Sequence, residues 1–395
     1  ITKCSAIYSR LRSGFSEKKE YQMSPRSIVV SGGGTGGHIY PALAIAEEML
    51  KRHPNMEIHY VGRIGGREET LSSKSDLPIT FHGIHAANIP RKLSTRLFAT
   101  IWENVLGMYE SRRLLKIIQP NVVIGTGGYV SGTTVKMAQR MGIPTLIHES
   151  DAIPGITNRL LGRKANIVTT SYAQLVDYFG KKKVHVTGNP LRGRFDNLNR
   201  EEGLKAFRFE SGQPVLLVFG GSQGSLAINQ NVVEALDLLE KRKRQYQVIF
   251  QTGEKGYLAT TEALKNVKGI KLVIQPFIYN MAQAYAAADL VIARSGAISL
   301  SEIAACGLPS ILIPYPHATA NHQEKNARAV ENAGAAKVIL EKDLSPIVLA
   351  ELIDSLVMDL NVKQKMSEAS RNLGKPNATK AICDLIESLM KSRRE

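Results

Sequence analysis

The sequence predicts an α/β chain built from two doubly wound, parallel-sheet (Rossmann-like) units that face one another across a cleft. Three observations predict it. Short runs rich in β-branched residues alternate with longer helical patterns. The alternation stops at the polar stretch 192–213 and then begins again. In each half the opening strand runs into a glycine-rich loop, residues 32–38 and 220–225.

In chain order, the strand-like runs of the first half are residues 27–31, 57–61, 121–124, 144–148, 167–170 and 184–187. Those of the second half are 215–219, 247–251, 271–275, 290–293 and 310–314, with a linker expected near 188–212. At the C-terminus, Ile382, Leu385, Ile386 and Leu389 recur at i, i+3, i+4 and i+7, which predicts an amphipathic helix with Asn377 as its cap. That helix can pack on either unit. The expected organisation is residues 1–23 as a disordered extension, 24–191 and 192–370 as the two units, and 371–395 as the C-terminal helix.

A chain of 395 residues exceeds what one core usually supports, and 43% hydrophobic with 22% charged residues is a globular balance. The net charge of +16 predicts attraction to an anion: a nucleotide, a nucleic acid, a phospholipid or a lipid diphosphate. Cys4, Cys306 and Cys383 are too scattered for a disulfide framework or a metal cluster, which fits a reducing cytoplasm. No apolar run approaches the roughly 18–20 residues that cross a bilayer, so membrane contact is expected to be peripheral.

In open parallel sheets, ligands bind beyond the carboxyl ends of the strands, so the chemistry is sought in the loops that leave them. The first such loop is Ser31-Gly32-Gly33-Gly34-Thr35-Gly36-Gly37-His38, followed by a helix expected to begin near Pro41. Glycines and a helix start favour a phosphate or diphosphate. Gly32, Gly34 and Gly37 also satisfy the dinucleotide fingerprint, but the second strand ends in Gly62-Arg63 rather than in a ribose-binding carboxylate. His38 closes the loop, where an imidazole could take a proton from a sugar hydroxyl or simply pack on the helix start.

The second unit repeats the device with Gly220-Gly221-Ser222-Gln223-Gly224-Ser225. Arg294, then Ala297, Ile298, Ser299, Leu300, Ser301 and Glu302, join a later strand to a helix, where Glu302 could accept two ribose hydroxyls or merely complement the helix dipole. Polar loops around His317 and Gln323, and around Tyr129, His148 and Glu149, also follow strands. No Asp-x-Asp and no lysine-bearing phosphate loop occurs, so a reaction without metal or cofactor is expected.

Taken together, residues 32–38, 127–132, His148-Glu149, Gly188-Asn189-Pro190-x-Arg192, 220–224, 294–302 and His322-Gln323 resemble, in order, the MurG-type UDP-N-acetylglucosamine transferases of peptidoglycan synthesis. The resemblance implies a GT-B fold and inverting transfer of GlcNAc from UDP-GlcNAc to the C4 hydroxyl of a lipid-linked MurNAc-pentapeptide diphosphate (lipid I), forming lipid II. It implies His38 or Glu149 as the catalytic base. Thr35, Gly36, Gly37, Asp151, Arg192, Ser222, Ile278, residues Ala297 to Glu302 and Gln323 would hold the donor. Tyr129, His148, Asn158 and Arg294 match further polar positions around the site. It also implies a place at the cytoplasmic face of the membrane, in cell-wall biogenesis, with other wall-synthesis proteins as partners. Asp151 stands where many members have Asn, and His322 where some have a second Gln. Thr126 and Thr133 likewise depart from the common pattern.

Between residues 88 and 118, Ile89, Leu93, Leu97, Phe98 and Trp102 are interleaved with Arg91, Lys92, Arg96, Arg112, Arg113 and Lys116. This stripe either faces the core or rests on anionic lipid; the lipid acceptor implied by the resemblance favours the second. The rival readings are a UDP-GlcNAc epimerase on the same scaffold, an NADP oxidoreductase, and a basic nucleic-acid-binding protein. The last lacks a stacking array, with aromatics at 6%, so no nucleic acid is expected.

Overall fold

A computed structural model describes residues 26–88, 96–191, 195 and 198–392. Its first unit holds β1 (Ser27–Gly32), α1 (Gly36–Arg52), β2 (Glu57–Arg63), α2 (Arg67–Ser73), β3 (Ile79–Ile84), α3 (Arg96–Ile118), β4 (Val122–Gly127), α4 (Gly128–Arg140), β5 (Thr145–Glu149), α5 (Ile156–Gly162), β6 (Ile167–Thr170), α6 (Val176–Phe179) and β7 (Val184–Val186). The second holds α7 (Arg200–Ala206), β8 (Val215–Phe219), α8 (Leu226–Lys241), β9 (Gln247–Gln251), α9 (Glu254–Leu264), β10 (Lys271–Gln275), α10 (Met281–Ala287), β11 (Leu290–Ala293), α11 (Ala297–Ala305), β12 (Ser310–Leu312), α12 (His322–Asn332) and β13 (Ala336–Val338). Helices α13 (Pro346–Met358), α14 (Leu360–Leu373) and α15 (Ala378–Ser392) follow.

Both sheets are parallel, with orders β3-β2-β1-β4-β5-β6-β7 and β10-β9-β8-β11-β12-β13. The strand order reverses between β1 and β4 and again between β8 and β11, and at such a switch point the two outgoing loops diverge and leave a crevice. The glycine loops after β1 and β8 therefore open into crevices by topology alone.

Two strands escape the sequence reading. The edge strand β3 carries His82 and Gly83 within it, and β13 is three residues long, so neither shows a sustained apolar run. The helix after β1 also starts earlier than expected, at Gly36, which places Pro41 inside it. Pro41 removes the N–H that would reach back to Gly37 and its ring crowds that carbonyl, yet the helix continues through it.

Apolar clusters line both faces of each sheet. Helix α15 follows the second unit in sequence but packs on the first. Its Ile382, Cys383, Ile386 and Leu389 join the cluster that contains Ile28, Leu43 and Ile124. Arg52 at the end of α1 reinforces the dock by donating to Asp384 at 2.6 Å and to the Lys380 carbonyl at 3.0 Å. Asn377 immediately precedes this helix.

Candidate active site

The crevice of the first sheet is assembled around His38. Its Nδ1 lies 3.1 Å from the carbonyl oxygen of Thr126 at the end of β4. A carbonyl only accepts, so Nδ1 carries the proton and Nε2 keeps its lone pair. The Thr126 hydroxyl donates back to the His38 carbonyl at 2.6 Å, so one threonine fixes both the main chain and the ring of His38. Gly127, at φ 108°, lets the chain pass directly beneath the imidazole: a Cβ there would stand 2.6 Å from Nδ1.

The glycine loop is held from the other side by Glu68 on α2, a carboxylate 1% exposed that accepts from the Arg63 N–H at 2.9 Å and the Gly34 N–H at 3.4 Å. Tyr60 donates its hydroxyl to the Gly32 carbonyl at 2.6 Å. Thr35 is exposed, Gly36, Gly37 and Tyr129 are half-buried, and the Tyr129 ring lies against Gly34. Burial lowers the pKa of His38, Asp151 and the Thr126 carbonyl oppose that shift, and His322 adds to it. The base candidate of the first unit thus shares its surroundings with His322 of the second.

His148 and Glu149, at the end of β5, are both buried and turn away from open solvent. His148 places Nδ1 at 3.0 Å from the Thr169 hydroxyl and Nε2 at 3.0 Å from Asn189 Oδ1, and burial pushes its pKa down to about 4. It is a neutral brace at pH 7. Glu149 accepts from the N–H groups of Asp151 and Gly155 and from the Asn158 amide, each at 3.0 Å. Burial, opposed by these donors, raises its pKa to about 7. Both carboxylate oxygens are thereby committed to shaping the 150–158 loop.

In the second unit, burial pushes the pKa of Glu302 on α11 up to about 7, and the carboxylate accepts from the Tyr285 hydroxyl at 3.0 Å. Helix α11 is preceded by Gly296 in the cap position and has no side-chain cap, which leaves its first amides available to an anion. Ala297 and Leu300 are buried, the latter against Leu312 and Ala327, so these positions can offer main chain rather than side chain; Ile298 and Ser299 are half-buried. Ser301 accepts from the Asn189 amide at 2.9 Å.

Arg294, 8% exposed, donates to the Ile313 and Pro314 carbonyls at 3.1 and 3.0 Å, to the Ser225 hydroxyl at 2.7 Å and to Glu341. It therefore braces the glycine loop. Gln251 locks that loop to the next, donating to the Gly221 carbonyl and accepting from the Ile278 N–H, each at 2.9 Å. Ser222 is exposed, and Gln323, at the start of α12, accepts from the Tyr315 N–H at 3.0 Å. Arg192 and Leu93 lie outside the described residues, as does the side chain of Leu97.

Residues 28–170 match the glycosyltransferase family 28 N-terminal domain, and residues 215–382 match the family 28 C-terminal domain. A relative from Acetivibrio thermocellus is 42% identical over 93% of this chain and 99% of its own length. It is named a "UDP-N-acetylglucosamine--N-acetylmuramyl-(pentapeptide) pyrophosphoryl-undecaprenol N-acetylglucosamine transferase". The chain is a MurG-type member of glycosyltransferase family 28.

A relative of the same name from Bacillus cytotoxicus is 40% identical over 92% of this chain and 99% of its own. The crystal structure of Acinetobacter baumannii MurG superposes with a TM-score of 0.74 at 29% identity, covering 92% of this chain and all (100%) of that one. The two parallel-sheet units are therefore a GT-B fold. A UDP-GlcNAc 2-epimerase from Neisseria meningitidis superposes at 0.64 with 16% identity, a likeness of fold alone.

Several residues that brace these loops were not singled out from the sequence. Glu68, Gln251, Tyr285 and Asn326 do not belong to glycine-rich strings, and their partners are 5 to 175 positions away, so only the fold reveals them. Helix α3, in contrast, turns its apolar stripe outward: Phe98 and Trp102 are 79% and 71% exposed, with Ile101, Val105 and Tyr109 also exposed on α3. Arg112, Arg113 and Lys116 on α3 are exposed as well.

Proposed function

We propose that this chain transfers GlcNAc from UDP-GlcNAc to the C4 hydroxyl of a lipid-linked MurNAc-pentapeptide diphosphate, with inversion and without a metal ion. The observation that carries the mechanism is the setting of His38. Its Nδ1 is tied to the Thr126 carbonyl, so Nε2 is the basic atom, and it stands at the crevice of the first unit beside groups of the second.

In this reading the acceptor hydroxyl gives its proton to His38 Nε2 while its oxygen attacks the anomeric carbon from the face opposite the diphosphate. The bond to the diphosphate oxygen breaks and UDP departs. The uncapped start of α11 and the glycine loop before α8 face the charge that grows on the leaving group. Glu302 accepts the ribose hydroxyls, as carboxylates do once ionised. Glu149 and His148 shape the acceptor side rather than move the proton, because their polar atoms are already engaged.

The exposed stripe of α3 would rest on an anionic membrane at its cytoplasmic face. Phe98 and Trp102 would enter the headgroup boundary and the flanking cations would meet lipid phosphate, each contributing on the order of 1 kcal/mol. The deciding experiment measures UDP release with EDTA present, with and without a short-chain lipid-linked MurNAc-pentapeptide, for the wild type and His38→Ala. Release that requires acceptor, survives chelation and is lost in a folded His38→Ala is the expected result. Donor consumption without acceptor, yielding another UDP-sugar, would overturn the assignment in favour of epimerisation.

A further inference from the structure

Two imidazoles meet at the edge of the first sheet, away from the catalytic crevice. Side chains alternate in direction along β2 and β3, and Ile58, Tyr60, Ile79 and Phe81 join the apolar cluster shared with α1 and α15. His59 and His82 therefore point to the opposite face. Their register neighbours Val29 and Val61 belong to the cluster of that face, together with Leu115 of α3. There His59 Nδ1 stands 3.0 Å from His82 Nε2, with both rings half-buried. On the far side of its ring, His59 Nε2 is buried, has no hydrogen-bond partner among the described residues and lies 3.7 Å from Glu57 Oε2. Burial lowers the pKa of both imidazoles, so each is neutral at pH 7 and carries one proton. A carboxylate attracts an N–H rather than a lone pair, so the His59 proton sits on Nε2 towards Glu57 and Nδ1 is bare. His82 Nε2 then supplies the single proton held between the rings.

We infer that His59 and His82 form a binding site for a divalent transition ion of the zinc class, which takes the place of the proton between them. His59 Nδ1 and His82 Nε2 are the protein ligands and water completes the shell. Glu57 holds the His59 N–H from behind, as carboxylates do for metal-bound imidazoles. The displaced proton moves to His82 Nδ1, so both rings stay neutral. With Zn–N bonds of about 2.0–2.1 Å, nitrogens 3.0 Å apart subtend roughly 90° at the ion, and a separation of about 3.4 Å gives the tetrahedral angle. Side-chain rotation covers that difference. Thr80 and Gly83 flank the rings on the edge strand and are exposed, which gives an ion a way in. Among the described residues no group of three or more His, Cys, Asp or Glu side chains is placed to hold an ion. Two imidazoles suit zinc, nickel or copper rather than calcium or magnesium, which prefer oxygen ligands. An ion here would tie β3 to β2, and the inference does not rest on the proposed reaction.

The test is calorimetric titration of the full chain with Zn2+ in a non-chelating buffer, with melting temperatures, for the wild type, His82→Gln, His59→Gln, Glu57→Gln and His85→Gln. A glutamine at 82 keeps an amide donor for His59 Nδ1, so the bond between the strands survives while a metal ligand is lost. His59→Gln repeats the test from the other strand. His85, exposed and 2.8 Å from Glu110, stands for adventitious surface histidines. The wild type and His85→Gln should bind one ion that raises the melting temperature. Glu57→Gln should bind about tenfold more weakly, and each variant that removes a ligand at least that much more weakly. Co2+ in place of Zn2+ should give the wild type a visible absorption that both ligand variants lack. Zn2+ binding that is absent from the wild type, unchanged in His82→Gln and His59→Gln, or lost in His85→Gln would overturn the inference and leave the two rings sharing only a proton.

Discussion

Replacing Gly127 with alanine tests the site at its narrowest point. The new Cβ would stand 2.6 Å from His38 Nδ1 and 2.8 Å from Cε1, whereas ordinary contact begins near 3.4 Å, so the ring must retreat by roughly 0.8 Å. That retreat breaks or bends the bond to the Thr126 carbonyl that fixes the tautomer. A misplacement on the order of 1 Å can reduce turnover about a hundredfold. The backbone adds its own penalty, since φ at Gly127 is 108° and a residue with a side chain held there costs about 1–3 kcal/mol. Gly142→Ala separates the two effects: φ there is 70°, but a Cβ would meet nothing within 4 Å. Both variants should lower the melting temperature by a few degrees, while only Gly127→Ala should lose acceptor-dependent UDP release, by about a hundredfold. A folded Gly127→Ala that turns over near the wild-type rate would refute the claim that the position of His38 governs the reaction.

Two further outcomes follow from the same site. Because the Glu302 pKa stands near 7 and ribose hydroxyls need the ionised form, UDP affinity should rise as pH increases through 7, with roughly tenfold weaker binding at pH 6 than at pH 8. Calorimetry in buffers of different ionisation heat should detect proton release on binding near pH 7, and Glu302→Gln should abolish both effects; a pH-independent affinity for the wild type would count against the ribose role. Trp102 is the only tryptophan of the chain and is 71% exposed, so its emission should shift to the blue with anionic vesicles. Phe98→Ser should weaken that binding without changing the melting temperature, and no shift at low salt would remove the membrane-docking proposal.

How much of this was legible in the sequence differs by element. Residues 27–31 and 215–219 announce buried parallel strands because their apolar content is continuous, and the glycine strings that follow them stand out for the same local reason. His38 and Glu302 stand out as candidates because each sits within a turn or two of such a string. The roles of Thr126 and Asn326 were not reachable, since their meaning lies in contacts with residues 88 and 175 positions away. Glu149 shows a different limit: a carboxylate at the ligand end of a strand reads as a base candidate, whereas the three N–H donors that tie it to the following loop are visible only in the fold. The C-terminal helix was legible as amphipathic, but its partner was not, because an apolar stripe does not encode which core receives it.

Among the described residues, each apolar cluster draws on the strands of one sheet only. Among the described residues, two amides carry hydrogen bonds across between the sheets' units. Asn326 reaches Asp151 and Ala152, and Asn189 links His148 and the Ser150 carbonyl to Ser301 on α11. Amides exchange protein partners for water at a net cost of about 1 kcal/mol per bond, unlike a buried apolar face. Such an interface should open and close readily. A nucleotide gripping α11 and the glycine loop stabilises the closed form by whatever it binds more tightly there. Small-angle scattering should therefore show a smaller radius of gyration when UDP-GlcNAc is added to the ligand-free protein, and Asn189→Ala should enlarge the ligand-free value. If neither changes, the two units behave as a rigid pair and the polar contacts between them do not act as a hinge latch.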